Sequence, residues 1–467
     1  MPAITTEAER KIIEDFAKLI QEKKTKGAKP EKDVINFRDE KRLGTQRDVD
    51  LVPVSLLRYR KENGRISTDV ANYQKSNGPL DDKDQKAQEL LGKFLEDKDP
   101  EKTDDLMKSI QHIGQSEAAI ITCDGFLING NRRKMALEKL KKLHPGKSEY
   151  ESMKVVILPG RGDPGGPPTI LDIEQLENRY QLQRDGKSEY YGFDQALSIK
   201  RKKDLVGYTL EAQLRDDPRY ARADGKEIAQ AVKEMEQEYL RPLECVDNYL
   251  RMFGREGLYG TVSEGRGDRE GRWEAFKDYA KTYNRCFQNP KWMMEKGVDE
   301  EDIGSLEEAV FKIIKLRHLR GLPKVHEVMR KLPKLCALKE SRKELLRISD
   351  EVELKLPEKE CFDGQGNRLS IEKVDEKWNE RNQQSIIHRL KKALDHQERN
   401  QEHETPISLL KAALQKLNHE DMSVTKMVLS DHREARELAS EIITRAEKIK
   451  KEIFDAGKNL DSLPHKK

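Results

Sequence analysis

Two adjacent arginines behind a glycine, in the run Gly130-Asn131-Arg132-Arg133, are the residues of this 467-residue chain best suited to chemistry. They follow a short apolar run, Phe126-Leu127-Ile128. They open a stretch in which Ala136, Leu137, Leu140 and Leu143 recur at helical spacing. A strand that feeds a glycine turn and then a helix start makes an anion site. The first N–H groups of a helix have no partner within it, and its dipole favours negative charge there. Two guanidinium forks suit phosphate oxygens. A capped surface helix with two solvated arginines fits the same short pattern. The loop Pro159–Pro168 holds four glycines but no Walker lysine followed by Ser or Thr, which argues against a P-loop. Cys123, Cys245, Cys286, Cys336 and Cys361 lie far apart, with no C-x-x-C pair, and the histidines show no ligand spacing. Neither a structural zinc nor a disulfide framework is expected.

The elements that must position these residues are mostly helices. Charged residues make up 37% of the chain, apolar residues 35% and aromatic residues 6%, which points to amphipathic helices around modest cores in two or three domains. The net charge of +3 predicts no strong global pull on DNA, so a nucleic-acid site would be a local patch. The first residues read as an acidic-basic helix, about Thr6–Lys23, not a signal peptide. No segment is apolar enough to span a membrane. A reducing cytoplasm fits the cysteine usage.

In order, Leu51–Val54 predicts a short strand, and residues 67–100 an insertion or mobile loop with one helix, about Asp84–Leu95. Asp104–Ile113 predicts a helix. Ala118–Cys123 and Phe126–Ile128 predict two strands turning at Asp124-Gly125. Lys154–Leu158 predicts a buried strand and Leu171–Gln183 a helix. Helices follow at about Phe193–Lys203, Leu210–Leu214, Gly225–Glu238 and Leu243–Phe253, compatible with a helix-turn-helix reader of DNA. If they read DNA, Asn248, Arg251 and Arg255 are the candidate contacts. Val246, Leu250 and Phe253 equally suit a helical core. Beyond residue 260 helices dominate, with capping boxes expected at Ser305/Glu308 and Ser341/Glu344 and a helix start at Thr405-Pro406. The last long helix is expected at about Ser423–Phe454. The DGQGNR run, Asp363–Arg368, reads as a surface turn. The fold class is α+β.

Residues 51–253 resemble the N-terminal half of ParB-type proteins of the ParB/sulfiredoxin superfamily. Three blocks carry the resemblance in the family's order: DLMKSIQHIG (Asp105–Gly114), GNRRKMA (Gly130–Ala136) and LENRYQLQRDGKSEYYGFDQAL (Leu176–Leu197). The resemblance implies a small mixed-sheet nucleotide-binding domain and a nucleotide, CTP or ATP, with Mg²⁺. It places Arg65, Ser109, Gly130, Asn131, Arg132, Arg133 and Arg184 at the nucleotide. It gives Asn178 and Glu177 to the metal, with Glu177 also the catalytic candidate for water activation. The sequence departs from the pattern: Asn131 replaces the usual Glu of the double-arginine box, and Glu117-Ala118 replaces Gln-Pro. Asn131 also stands where a sulfiredoxin needs its cysteine, which excludes a peroxiredoxin-repair reductase.

These readings divide the chain into an N-terminal helix and connector (1–45), a nucleotide-binding domain (46–190), a helical domain compatible with a helix-turn-helix (191–260) and a C-terminal helical domain (261–467). The function expected from the resemblance is a nucleotide-dependent switch or clamp acting on DNA in a bacterial, plasmid or phage setting, working as a homodimer, cytoplasmic or nucleoid-associated. Two other classes stay open. One is a Mg²⁺-dependent NTPase or nuclease of a host-defence or mobile-element system. The other is an interaction scaffold with a degenerate pocket.

Overall fold

A computed structural model describes residues 10–27, 31–38, 45–98, 100–182, 192–263, 269–419, 422, 424 and 427–461. The strands are β1 (Thr25–Lys26), β2 (Lys32–Ile35), β3 (Thr45–Pro53), β4 (Ala119–Ile121) and β5 (Ser152–Ile157). The sheet order is β1-β3-β5-β4, with β2 also pairing β3. β3 and β5 run antiparallel, with Val49 opposite Val156. β4 and β5 run parallel, with Ile120 opposite Val156. Parallel neighbours need a crossover. Helix α5 (Asn131–Leu143) supplies it. The other helices of this region are α1 (Glu14–Lys23), α2 (Ser67–Asn77), α3 (Gln85–Lys98), α4 (Pro100–Ile113) and α6 (Ile170–Leu182).

The two-residue period of the strands sorts their side chains into two layers. Val52, Ala119, Ile121, Met153 and Val155 pack with Ala136, Leu137 and Leu140 of α5. Val49, Ile120, Val156 and Leu158 pack with Ile173 and Leu176 of α6. The sheet is thus sandwiched between α5 and α6, and both faces read as continuous apolar runs. The segment at 70–100 is no loose insertion. Leu80, Ala87, Leu91 and Leu95 are buried in the α5-side core.

Asp124, at the turn after β4, is fully buried. It accepts hydrogen bonds from Arg10 (2.7 and 2.8 Å), from the Ile13 N–H (3.0 Å) and from the Thr122 hydroxyl (2.6 Å). Arg10 also lies over the Phe126 ring, 4.4 Å from its centroid. The segment before α1 therefore straps the hairpin. α1 begins at Glu14, later than expected, and residues 1–9 lie outside the described residues.

The helical half starts with α7 (Gly192–Leu205), α8 (Leu210–Arg215), α9 (Gly225–Met235) and α10 (Arg241–Met252). No turn separates α9 from α10. A π-helical stretch, Glu236–Leu240, joins them into one continuous helix. Pro242 lacks an N–H and crowds the preceding turn, and a widened turn absorbs such a defect without breaking the helix. The helix pair expected to read DNA across a turn at 239–242 is therefore not formed there. One core runs from Phe193 to Ala393 and includes Tyr249, Phe276, Tyr279, Phe311 and Trp378. The division expected at residue 260 falls inside it. Ser305 and Ser341 lie within the helices Asp302–Leu316 and Lys339–Glu351 and do not cap them. Ser341 instead donates to the Ala393 carbonyl (2.8 Å). Asp363–Arg368 forms the expected surface turn, closed by a bridge between Phe362 and Arg368.

The chain divides into two compact units, residues 1–396 and 397–467. Pro406 does not start a helix. It lies inside the helix Ile371–Leu417. The second unit contains the end of that helix and the helix His432–Asp461. Its large apolar residues, among them Leu410, Leu414, Ile442, Ile453 and Phe454, are exposed. No helix among the described residues is long and apolar enough to cross a membrane.

Candidate functional site

The double-arginine run sits where the sheet turns into α5. Phe126–Ile128 returns antiparallel to β4, with the Ile128 N–H bonded to the Ile120 carbonyl (2.9 Å). Asn129 then clamps the return, its side-chain oxygen accepting from the Ile120 N–H (2.6 Å). Gly130 is the N-cap of α5 and adopts φ +86°, a left-handed conformation that disfavours a side chain. A Cβ at this position would lie 2.6 Å from the Ala119 Cβ and 3.1 Å from the Met153 Cε. Glycine is therefore required twice over, by the turn and by the close approach to β4.

With glycine at the cap, the N-cap residue offers no side chain to the first N–H groups of α5. Asn131 follows, partly buried, and its side-chain oxygen is buried with no hydrogen-bond partner. Rotating that amide by half a turn would place an NH₂ donor at the same spot. Arg133 donates to the Glu117 carbonyl (2.8 Å) and to its carboxylate (2.9 Å). Burial lowers the Arg133 pKa, and Glu117, Tyr180 and Asp33 work the other way. Arg132 is partly buried beside it. The region is thus positive at the helix start but edged by Glu117 and Asp33. Tyr180 brings the end of α6 to the same place.

Ser109 is exposed on α4, which packs against α5. Arg65 lies on a short 3-10 turn, Gly64–Ile66, whose N–H is capped by the Asn63 side chain (3.0 Å). Arg184 lies outside the described residues.

Glu177 and Asn178 occupy a different environment. Glu177 is 2% exposed, and it accepts from Arg60 (3.2 Å) and from the Gly64 N–H (3.2 Å). One turn earlier Glu174, 1% exposed, accepts from Arg60 (2.8 Å) and Arg201 (2.6 Å). Burial alone would raise the Glu174 pKa, but Arg201, Arg60 and Lys202 outweigh it and hold the carboxyl at about 2. Asn178 accepts from Lys202 (3.3 Å) and donates to the Gln213 carbonyl (3.0 Å). The Glu-Asn pair therefore ties α6 to the Arg60 segment, to α7 and to α8. In this conformation both carboxylate oxygens of Glu177 are engaged by protein donors, and the Asn178 oxygen by a lysine. That donor set does not fit Mg²⁺.

Arg60, Glu174, Arg201 and Lys202 were not singled out from sequence. A signal existed: Glu174 and Glu177 stand three apart on a helix, interleaved with the apolar Ile173 and Leu176. Charges embedded in a buried stripe need partners. The candidate DNA contacts are dispersed in their surroundings. Arg255 is held in two hydrogen bonds by Asp375 (2.7 and 2.6 Å) and is 11% exposed. Arg251 is exposed and donates to Asn248 (3.0 Å). All five cysteines are free, and Cys123 is buried.

Comparison with family models, with curated proteins and with solved structures gives no match.

Proposed function

We propose that the sheet domain is a nucleotide-responsive module that takes a nucleoside triphosphate, CTP or ATP, at the opening of α5, and that the chain acts on DNA as a homodimeric, ParB-like switch. The observation that carries this reading is the start of α5. It combines a left-handed Gly130, a helix start whose N-cap glycine supplies no side-chain cap, two adjacent arginines and the Asn131 amide, which turns an NH₂ donor to the same spot when rotated by half a turn. Backbone N–H groups and guanidinium groups together suit a phosphate chain.

The buried cluster under α6 supports a route for the switch. It links the 3-10 turn that carries Arg65 to α7 of the helical half through Glu177, Arg60, Glu174 and Arg201. A ligand that moves α6 at Tyr180 would be felt in α7. The ligand must bind the two arrangements with different affinity to shift them. Dimerisation is assigned to the helix His432–Asp461, with its exposed Leu438, Ile442, Ile453 and Phe454. Hydrolysis or DNA cleavage through Glu177 and Mg²⁺ is not part of the proposal, because that carboxylate is already neutralised.

The test is calorimetric titration of the full chain with CTP, ATP and GTP, with and without Mg²⁺. Selective binding of one triphosphate, lost on combining Arg132→Ala with Arg133→Ala, is the expected result. No binding by any of the three to folded protein would overturn the reading in favour of a scaffold. DNA affinity measured against salt should fall steeply if phosphate contacts are made.

A further inference from the structure

The helical half contains a cavity that the nucleotide reading does not use. It is a pocket open to solvent, and the space between its walls, solvent included, is about 310 Å³. α10 forms one wall, with Arg241, Cys245 and Asn248. The π-helical stretch Tyr283–Phe287 forms another, with Tyr283 and Asn284, and the helix Asp302–Leu316 contributes Glu307. A second π-helical stretch, Glu236–Leu240, directly precedes α10. Such wide turns re-aim side chains out of the regular helical register and are frequent beside binding sites.

The charges around the cavity are unevenly matched. Arg241 is paired with Glu244 (2.8 Å) at the rim. On the helix that brings Ala280 to the wall, the lysines outside the lining are already paired: Lys277 with Glu238 (2.6 Å) and Glu274 (3.3 Å), and Lys281 with Glu238 (3.3 Å). Glu307 is different. It is partly buried, and one of its oxygens accepts from the Tyr279 hydroxyl (3.0 Å). Among the described residues no lysine, arginine or histidine pairs with it. Burial raises its pKa, and only the Tyr279 hydrogen bond opposes that. Tyr283 is close enough to feel the same carboxylate, which adds to the effect of burial in raising its own hydroxyl. The Asn284 amide is partly buried and has no hydrogen-bond partner among the described residues.

A half-buried carboxylate without a counter-ion is costly, and it becomes favourable when a desolvated cation joins it. We propose that this cavity is a binding site for a small organic cation, a primary alkylamine, whose ammonium supplies the missing partner of Glu307 while Asn284 and Tyr283 hold its flank. The ammonium offers three donors, enough for the Glu307 carboxylate, the Asn284 carbonyl oxygen and one further acceptor. The tyrosine ring offers a cation–π surface, and the Cys245 and Ala280 side of the wall suits a short alkyl chain. The site is independent of the α5 opening and stands whether or not a nucleotide binds there.

The experiment is titration of the full chain with n-butylammonium chloride, followed calorimetrically. 1-Butanol and magnesium chloride serve as controls for the alkyl chain and for charge alone. Saturable one-site binding of butylammonium, absent for both controls, is expected. It should weaken at least about tenfold in Glu307→Gln. Asn284→Leu, which removes the amide acceptor and leaves Glu307 in place, should also weaken it at least about tenfold, with unchanged circular dichroism showing that the fold is kept. No saturable binding to wild type, equal binding of butanol, displacement by magnesium at equal concentration, or unchanged affinity in folded Glu307→Gln or Asn284→Leu would each overturn the proposal.

Discussion

Beneath helix α6, Glu174 and Glu177 meet Arg60, Arg201 and the Gly64 N–H. At the opening of α5, Gly130 brings no side chain to the helix end and the Asn131 oxygen finds no partner. Both regions flank the same sheet, and both are built from charged residues that a sequence pattern marks. Their chemistry differs because their geometry does. The first region has been closed by bringing cations from two segments, and a backbone N–H, onto two carboxylates. The second leaves N–H groups at a helix start, beside an Asn131 amide that donates once rotated, where an anion can dock. The first is thus a structural joint and the second a candidate ligand site. The Glu-Asn motif alone, without the surrounding partners, does not distinguish these roles.

The sharpest way to break the joint is Arg60→Ala. It takes the Arg60 guanidinium away from both Glu174 and Glu177. Removing one partner from a buried ion pair costs about 3–5 kcal/mol. Denaturant unfolding should show a loss of that size. A loss below about 1 kcal/mol would mean the cluster is hydrated and the contrast false. At the other region, Gly130→Ala should cost about 1–3 kcal/mol through its backbone conformation, and more if Ala119 cannot move. The same change should abolish triphosphate binding by displacing the helix start. Retained stability would show that the turn relaxes readily.

Acid sharpens the comparison further. The Glu174 carboxyl titrates at about 2 in the folded chain against an ordinary value of 4.5. As pH falls from about 4.5 towards 2, the unfolded chain takes up a proton that the folded chain refuses. Stability contributed by this group is therefore full above 4.5 and lost through that window. Acid unfolding curves should lose part of this slope in Glu174→Gln. Smallest in stability should be Arg132→Ala combined with Arg133→Ala, which stays within about 1 kcal/mol of wild type. Its effect belongs to affinity, a fall of at least about tenfold for the bound triphosphate. An equal fall in melting temperature would move Arg133 into the structural class with Arg60.

Much of the sheet domain was legible because its signals are local. The Asp124-Gly125 turn, the apolar run of β5 and the helical spacing after Arg132 each specify an element without outside help. The partners of Glu174 and Glu177 were not legible, since Arg60 and Arg201 lie over a hundred residues apart in sequence and meet only in the fold. The junction of α9 and α10 misled for a related reason. Pro242 usually marks a boundary, but here packing of Leu243, Val246 and Leu250 into the core keeps the helix whole through a π-helical stretch. Ser341 read as a cap because it precedes Glu344 by three residues, yet its hydroxyl bonds to Ala393. Local capping patterns are weak where a helix is fixed by tertiary contacts.

The strap at the start of the sheet domain has a consequence for how the chain folds. The buried Asp124 carboxylate depends on Arg10, 114 positions earlier. During synthesis that arginine emerges first and must wait for the whole of β3, α2, α3, α4 and β4 before its partner exists. Contacts of such sequence separation close late and slow the search. Protection of the Gly125 amide, which bonds the Thr122 carbonyl beneath the strap, is therefore a clock for completion of the domain. It should appear after the amides of α5 are protected, and early cleavage at residues 10–13 should leave the hairpin as the first part of the sheet to reopen.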